Sequence, residues 1–145
     1  DFILSADGQK IVEDNKYTAS VDNAKAFKTK APTGKLVIAG SSSVSPVMEA
    51  LKEAYLAINT NAEIEIQTSD STTGVNSAKE GICDIGMASR ELKDEEKSAG
   101  LTATVIAIDG IAVIVNDNNP IETMTKDQVK SVYVGETTDW SQLNG

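Results

Sequence analysis

Apolar residues along this chain fall into helical and strand spacings in turn. Phe2, Ile3 and Leu4, then Ile11 and Val12, lie at helical spacing, and Ser5-Ala6-Asp7-Gly8 between them can cap the second part. One bent helix or two short ones fit. From Tyr17 to Gly34 the periodicity fades into small and polar residues with Lys25, Lys28 and Lys30, so residues 18–34 read as a linker, a junction rather than an internal loop. Its lysines suit a solvated tether. Leu36-Val37-Ile38-Ala39 is a strand run that stops at Gly40; Ser41-Ser42-Ser43 follow, and Pro46 opens a helix to about Ile58 with Val47, Leu51, Ala54, Tyr55 and Ile58 on one stripe.

The alternation then returns. Ile64 and Ile66 between Glu63, Glu65 and Gln67 predict a strand with one wet face, leading into a second polar turn, Thr68 to Gly74, and a short helix from Val75 to Glu80. Cys83 to Met87 reads as a short strand, and Ala88-Ser89-Arg90 leads to a helix around Lys93 to Ala99. Thr102 to Ile108 and Ile111 to Val115 read as two further strands broken at Asp109-Gly110, the second so apolar that it should be covered on both faces. After a turn at Asp117 to Pro120, Thr125 caps a helix through Val132, and the chain runs on past Trp140 to Gly145 with no obvious closing element.

Strands alternating with helices predict an α/β fold, a mostly parallel sheet with helices on both faces. Ligands of such sheets gather outside the carboxyl ends of the strands. All three hydroxyl-rich turns follow strands and precede helices, so they share that edge. A helix start leaves backbone N–H groups unpaired and carries roughly half a positive charge, which suits an anion. The candidate ligands are Ser42, Ser43 and Val44 of the first turn, Ser71 and Thr72 of the second, and Ser89 and Arg90 of the third. An arginine can grip an oxyanion with two parallel bonds. Each turn also has a plainer reading: a serine as N-cap, a capped helix on an exposed loop, and Arg90 paired with Glu91 or Asp94.

Composition narrows the chemistry. The 145 residues favour a single domain, and a net charge of −9 argues against nucleic acid and anionic membranes as partners. It does not exclude a small anion, since surface carboxylates are screened over about 8 Å while fixed donors act at contact. The sequence has no histidine and no Ser-x-x-Lys, which removes serine-histidine and cysteine-histidine catalysis and HExxH zinc sites. Cys83 is the only cysteine, so no internal disulfide or thiolate cluster is available, and its apolar neighbours suit a buried strand thiol. No catalytic residue, metal or cofactor is indicated. No run approaches the ~20 apolar residues of a spanning helix, and the first residues are no signal peptide. The chain opens as if in mid-helix, so a piece of something longer is expected.

GSSSVSPVMEAL, SDSTTGV, CDIGMASREL and IAIDGIAVIVNDNNPIETMTKDQVKSVYVGETTDW together resemble the first lobe of phosphate-binding proteins, the extracytoplasmic receptors of phosphate ABC transporters, with a type II periplasmic-binding-protein-like fold. The likeness runs from about Lys35 to the end. DFILSADGQKIVEDNKY resembles the segment that normally ends those proteins, here placed first, and a tandem arrangement cut between two copies would account for it. The resemblance implies a domain plan of a helical tail at 1–17 packed on the lobe, a linker at 18–34 and the lobe itself at 35–145.

It also implies that inorganic phosphate or a similar oxyanion meets the Ser43 hydroxyl, the Val44 N–H and the Ser71 hydroxyl. Ser89 falls where some members carry an aspartate that accepts the phosphate proton, which leaves phosphate against sulfate open; Asp70 or Asp109 are the candidates to supply that acceptor. The implied partners are a membrane permease and a second lobe or tandem copy of the parent protein. The implied location is outside the cytoplasmic membrane, anchored through that parent. The second lobe's Gly-Ser-Gly-Thr loop has no counterpart in the sequence, so half a cleft with weak or absent phosphate binding is expected. A scaffold or interaction module on the same fold is the alternative, and an enzyme is a distant third. Exchange of the opening helix between two molecules is a further expectation.

Overall fold

In the computed structural model, which describes residues 1–28 and 31–143, three parallel strands form the sheet that carries the rim. Lys30 and Gly145, both named in the sequence reading, lie outside the described residues. The elements run α1 (Ala6–Asp14), β1 (Thr18–Ala19), β2 (Gly34–Ser41), α2 (Ser45–Ile58), β3 (Ala62–Ser69), α3 (Ser71–Lys79), β4 (Ile85–Met87), α4 (Asp94–Ser98), β5 (Ala107–Ile108) and α5 (Lys126–Tyr133), with a closing 3₁₀ turn at Trp140–Leu143.

The central strand is β2, flanked by β3 and β4 in the order β3-β2-β4. Its register pairs Leu36 with Ile64, Ile38 with Ile66 and Ser41 with Ser69 on one side, and Gly40 with Met87 on the other. The alternation of Ile64 and Ile66 with glutamates therefore does what its period demands. The isoleucines join Ile38, Met87 and the α2 residue Met48 in one cluster, where burying each large apolar side chain contributes roughly 1.5–3 kcal/mol. Three glycines let α3 approach β2 and β4 at backbone distance. A Cβ on Gly74 would stand 2.5 Å from the Gly40 Cα and 2.7 Å from the Ala39 carbonyl oxygen, and one on Gly86 would stand 2.7 Å from the Gly74 carbonyl oxygen. Gly40 also takes φ +136°, a conformation side chains resist.

A second cluster joins the opening segment to α2. Phe2 and Val12 are buried with Val47 and Leu51, and Phe2, Phe27 and Tyr55 meet ring on ring with centroids 5.2 to 6.0 Å apart. Ser5 caps α1, accepting from the Gly8 N–H at 3.2 Å. Residues 18–28 differ from the solvated tether read at 18–34 in the sequence. β1 pairs antiparallel with β5, the Lys25 carbonyl accepts from the Ala6 N–H at 2.9 Å, and Phe27 is part of the aromatic trio. The reason is side-chain specific: Gln9, 4% exposed, spends its carboxamide on the N–H groups of Ser20 and Val21 and on the carbonyls of Ile3 and Ile106. One buried amide thus ties together four backbone groups from three segments.

The compact unit built this way is Asp1–Gly110, and a second begins at Ile111. The division at Gly110 falls inside the stretch read as a continuous lobe at 35–145. The second unit holds α5, capped by Thr125 with Gln128 reaching back to the Thr125 N–H at 2.8 Å. The strand expected at Ile111 to Val115 does not form. Ile111 is 97% and Ile114 90% exposed, because a strand exists only through a neighbour and none pairs with these residues among those described. No helix among the described residues is long and apolar enough to cross a membrane.

Candidate anion-binding site

All three parallel strands point their carboxyl ends to one edge, and α2 and α3 begin there. The hydroxyls meet in a chain. Ser41 Oγ donates to Ser89 Oγ at 3.2 Å, Ser71 and Ser89 Oγ lie 3.2 Å apart, and the Ser89 N–H donates to Ser71 Oγ at 3.0 Å. The sheet ladder carries on past β2 through the Ser42 N–H to the Ser69 carbonyl at 2.9 Å, which fixes the first turn against the second. Ser71 and Ser89 are thus brought together directly. Ser42 and Ser43 are exposed on the same turn as Ser41, and among the described residues no protein group bonds the Ser43 hydroxyl or N–H.

Other expected ligands are committed elsewhere. The Val44 N–H closes its own turn on the Ser41 carbonyl at 3.0 Å, so it is not an open donor at the helix start. Arg90 does not face the rim with a free fork. Its Nη1 and Nη2 hold the two carboxylate oxygens of Glu96 at 2.9 and 2.8 Å, Nη1 also donates to the Glu91 carbonyl, and Nη2 reaches Thr72 Oγ1 at 3.4 Å. Neither Glu91 nor Asp94 supplies the partner carboxylate. α3 starts at Ser71, four residues before the expected Val75, because Asp70 caps it: Oδ1 accepts from the Thr72 and Thr73 N–H groups and Oδ2 from the Thr73 hydroxyl at 2.6 Å. Asp70 is therefore a cap, its pKa lowered first by the Thr73 hydroxyl, and Asp109 is exposed and bonds no rim residue among those described.

Three participants escaped the sequence reading. Ser41, at the strand end, links to Ser89; Ser45, buried, bonds Thr68 Oγ1 at 2.9 Å and the Ser41 carbonyl at 3.2 Å; and Glu96 anchors Arg90. Neither the Ser41 to Ser69 register nor the Arg90–Glu96 fork, six residues apart around a turn, was stated by the local periodicity. Cys83 is buried just before β4, and burial pushes its thiol up, as for an inert side chain.

The fork sets a pH dependence. Arg90, and then the Lys93 N–H, hold Glu96 down from the usual 4.5 to about 2. A lowered carboxylate pKa stabilises the fold above about pH 4.5 and gives that stability up as pH falls toward about 2. Glu96→Gln should flatten the melting temperature against pH over that window, and an unchanged acid limb in the variant would show the pair to contribute nothing.

Residues 26–145 match the family described as the PBP superfamily domain. A phosphate-binding protein PstS 2 of Streptococcus agalactiae serotype V is 56% identical over 144 residues, taking in 99% of this chain and 49% of that protein. Among solved structures, the phosphate-binding protein of a phosphate ABC transporter from Streptococcus pneumoniae TIGR4 has a TM-score of 0.88 at 39% identity, over 99% of this chain and 55% of that one. A putative phosphate ABC transporter substrate-binding protein from Clostridium perfringens, with bound phosphate, has a TM-score of 0.63 at 47% identity, over 77% of this chain and 46% of that one. The chain spans about half the length of the curated relatives it matches. The two streptococcal matches include the opening segment, so no join between tandem copies is required to explain its place. Because the family match covers the whole three-stranded sheet and all three rim turns, this chain belongs to the PBP superfamily, alongside proteins named for phosphate binding.

Proposed function

We propose that this chain supplies one wall of an oxyanion site, the first lobe of an extracytoplasmic phosphate receptor that serves the permease of an ABC transporter. The observation that carries the reading is the Ser41–Ser89–Ser71 hydroxyl chain at an edge where two helices begin. Names of relatives at 56% identity support the choice of phosphate. Binding rather than catalysis fits a wall of hydroxyls and N–H groups whose carboxylate, Asp70, is spent on capping α3.

One wall leaves the anion wet on its other side. Each absent charge-assisted bond costs on the order of 1.5–3 kcal/mol, so three or four of them move a micromolar site to millimolar or weaker. Titrating ¹⁵N-labelled chain with phosphate should shift the amides of residues 41–45, 71–73 and 89–90 with a millimolar or weaker midpoint. A micromolar dissociation constant by calorimetry would overturn the half-cleft reading. Absence of any shift, at every phosphate concentration the chain tolerates, would overturn the anion reading itself.

A further inference from the structure

We propose that Tyr17 is a positioning residue for the first wall of this site, acting through Ser43; the inference rests on the oxyanion reading above. Tyr17 belongs to the opening segment, yet its hydroxyl donates to the Ser43 carbonyl at 2.8 Å across 26 residues of sequence. The ring is held at its other end, against the cluster of Phe2, Val12, Val47 and Leu51. The backbone is held too. Lys16, immediately before it, sits at φ 71°, in the left-handed region that a residue with a side chain seldom takes, and the Lys16 and Tyr17 N–H groups close back on the Glu13 and Val12 carbonyls at 2.9 and 3.2 Å. Tyr17 is thus a rigid strut with its polar tip on the turn.

The turn needs such a strut. Its two other backbone ties are the Ser42 N–H to Ser69 and the Val44 N–H to Ser41, which fix the ends and leave the Ser43–Val44 peptide with no second partner for its carbonyl among the described residues. That peptide unit is planar, so the Tyr17 hydroxyl on its carbonyl and the Ser41 carbonyl on its N–H together fix the plane and the ψ angle of Ser43. Ser43 carries a hydroxyl and an N–H that no protein group bonds among the described residues. Preorganised donors bind an anion more tightly than donors that must first be ordered.

Tyr17→Phe removes only the hydroxyl and keeps the ring in its cluster, so the variant should melt close to the parent while its phosphate midpoint weakens about threefold to tenfold, the scale of one hydrogen bond. A residue with a merely structural role would move the melting temperature and leave the midpoint of the folded molecule alone. The second arm repeats the pair in a Ser43→Ala background, by phosphate titration at a temperature well below every melting point, where the effect of Tyr17→Phe should shrink to the part carried by the backbone N–H of residue 43. Equal midpoints for parent and Tyr17→Phe overturn the inference and leave the oxyanion reading standing. A loss that persists undiminished without the Ser43 hydroxyl overturns it as well. If phosphate shifts no amide of the parent chain, both fall together.

Discussion

Gly74→Ala is expected to lower the melting temperature by on the order of 10 °C or to prevent folding altogether, since overpacking costs about 1–3 kcal/mol even where neighbours can yield. Here they cannot. The added methyl would meet the Gly40 Cα at 2.5 Å, the Ala39 carbonyl oxygen at 2.7 Å and the Met87 carbonyl oxygen at 2.8 Å, all backbone atoms of the two strands that lead to the rim. Relief requires α3 to lift from the sheet, and α3 carries Ser71 at its first position. The Ser71–Ser89 contact at 3.2 Å should therefore be lost along with stability. Gly110→Ala is the matching control, because its Cβ would meet nothing within 4 Å. Calorimetric melting of the two variants decides the matter; similar midpoints for both would show that α3 does not depend on this close approach.

Deleting residues 1–17 should abolish cooperative unfolding of the remainder. Phe2 and Val12 are buried against Val47 and Leu51, with Ile3 and Ile11 beside them, and each large apolar side chain contributes roughly 1.5–3 kcal/mol. Their sum approaches the ~5–15 kcal/mol that holds a whole domain together. The loss of Gln9 also strips partners from the Ser20 and Val21 N–H groups and from the Ile106 carbonyl. Far-UV circular dichroism against temperature reads this directly. A truncated chain that melts like the parent would mean the opening segment is no part of the fold.

What the sequence disclosed, and what it hid, follows from the range of the interactions. β2, β3 and α2 were legible because Leu36 to Ala39, the Ile64 and Ile66 alternation and the Val47 to Ile58 stripe are local periodic signals. The Ser5 and Thr125 caps were legible for the same reason. Convergence of Ser71 and Ser89 followed from topology, since parallel strands must present their ends together. Arg90 was misread because an arginine's spacing does not say which of several nearby carboxylates it will grip, and Glu96 lies two residues beyond Asp94, the farther of the two considered. The first part of the expected tether, residues 18–28, was misread because a run without periodicity can still be held, by Gln9 from one side and by Phe27 from within. Ile111 to Val115 showed the converse failure. Apolar composition states a preference for being a strand, but the neighbour that would satisfy it is not encoded in the segment itself.

The bond from Gln9 to the Ile106 carbonyl spans 97 residues. On a ribosome adding about 5–20 residues each second, the opening helix must therefore wait several seconds before its last partner emerges. Through that interval Phe2 and Val12 have α2, Tyr17 and Phe27 to shelter against while Gln9 still lacks its Ile106 partner, so a segment made well before that partner is among the last to be locked, and a nascent chain stalled short of residue 106 should remain open to proteases around α1.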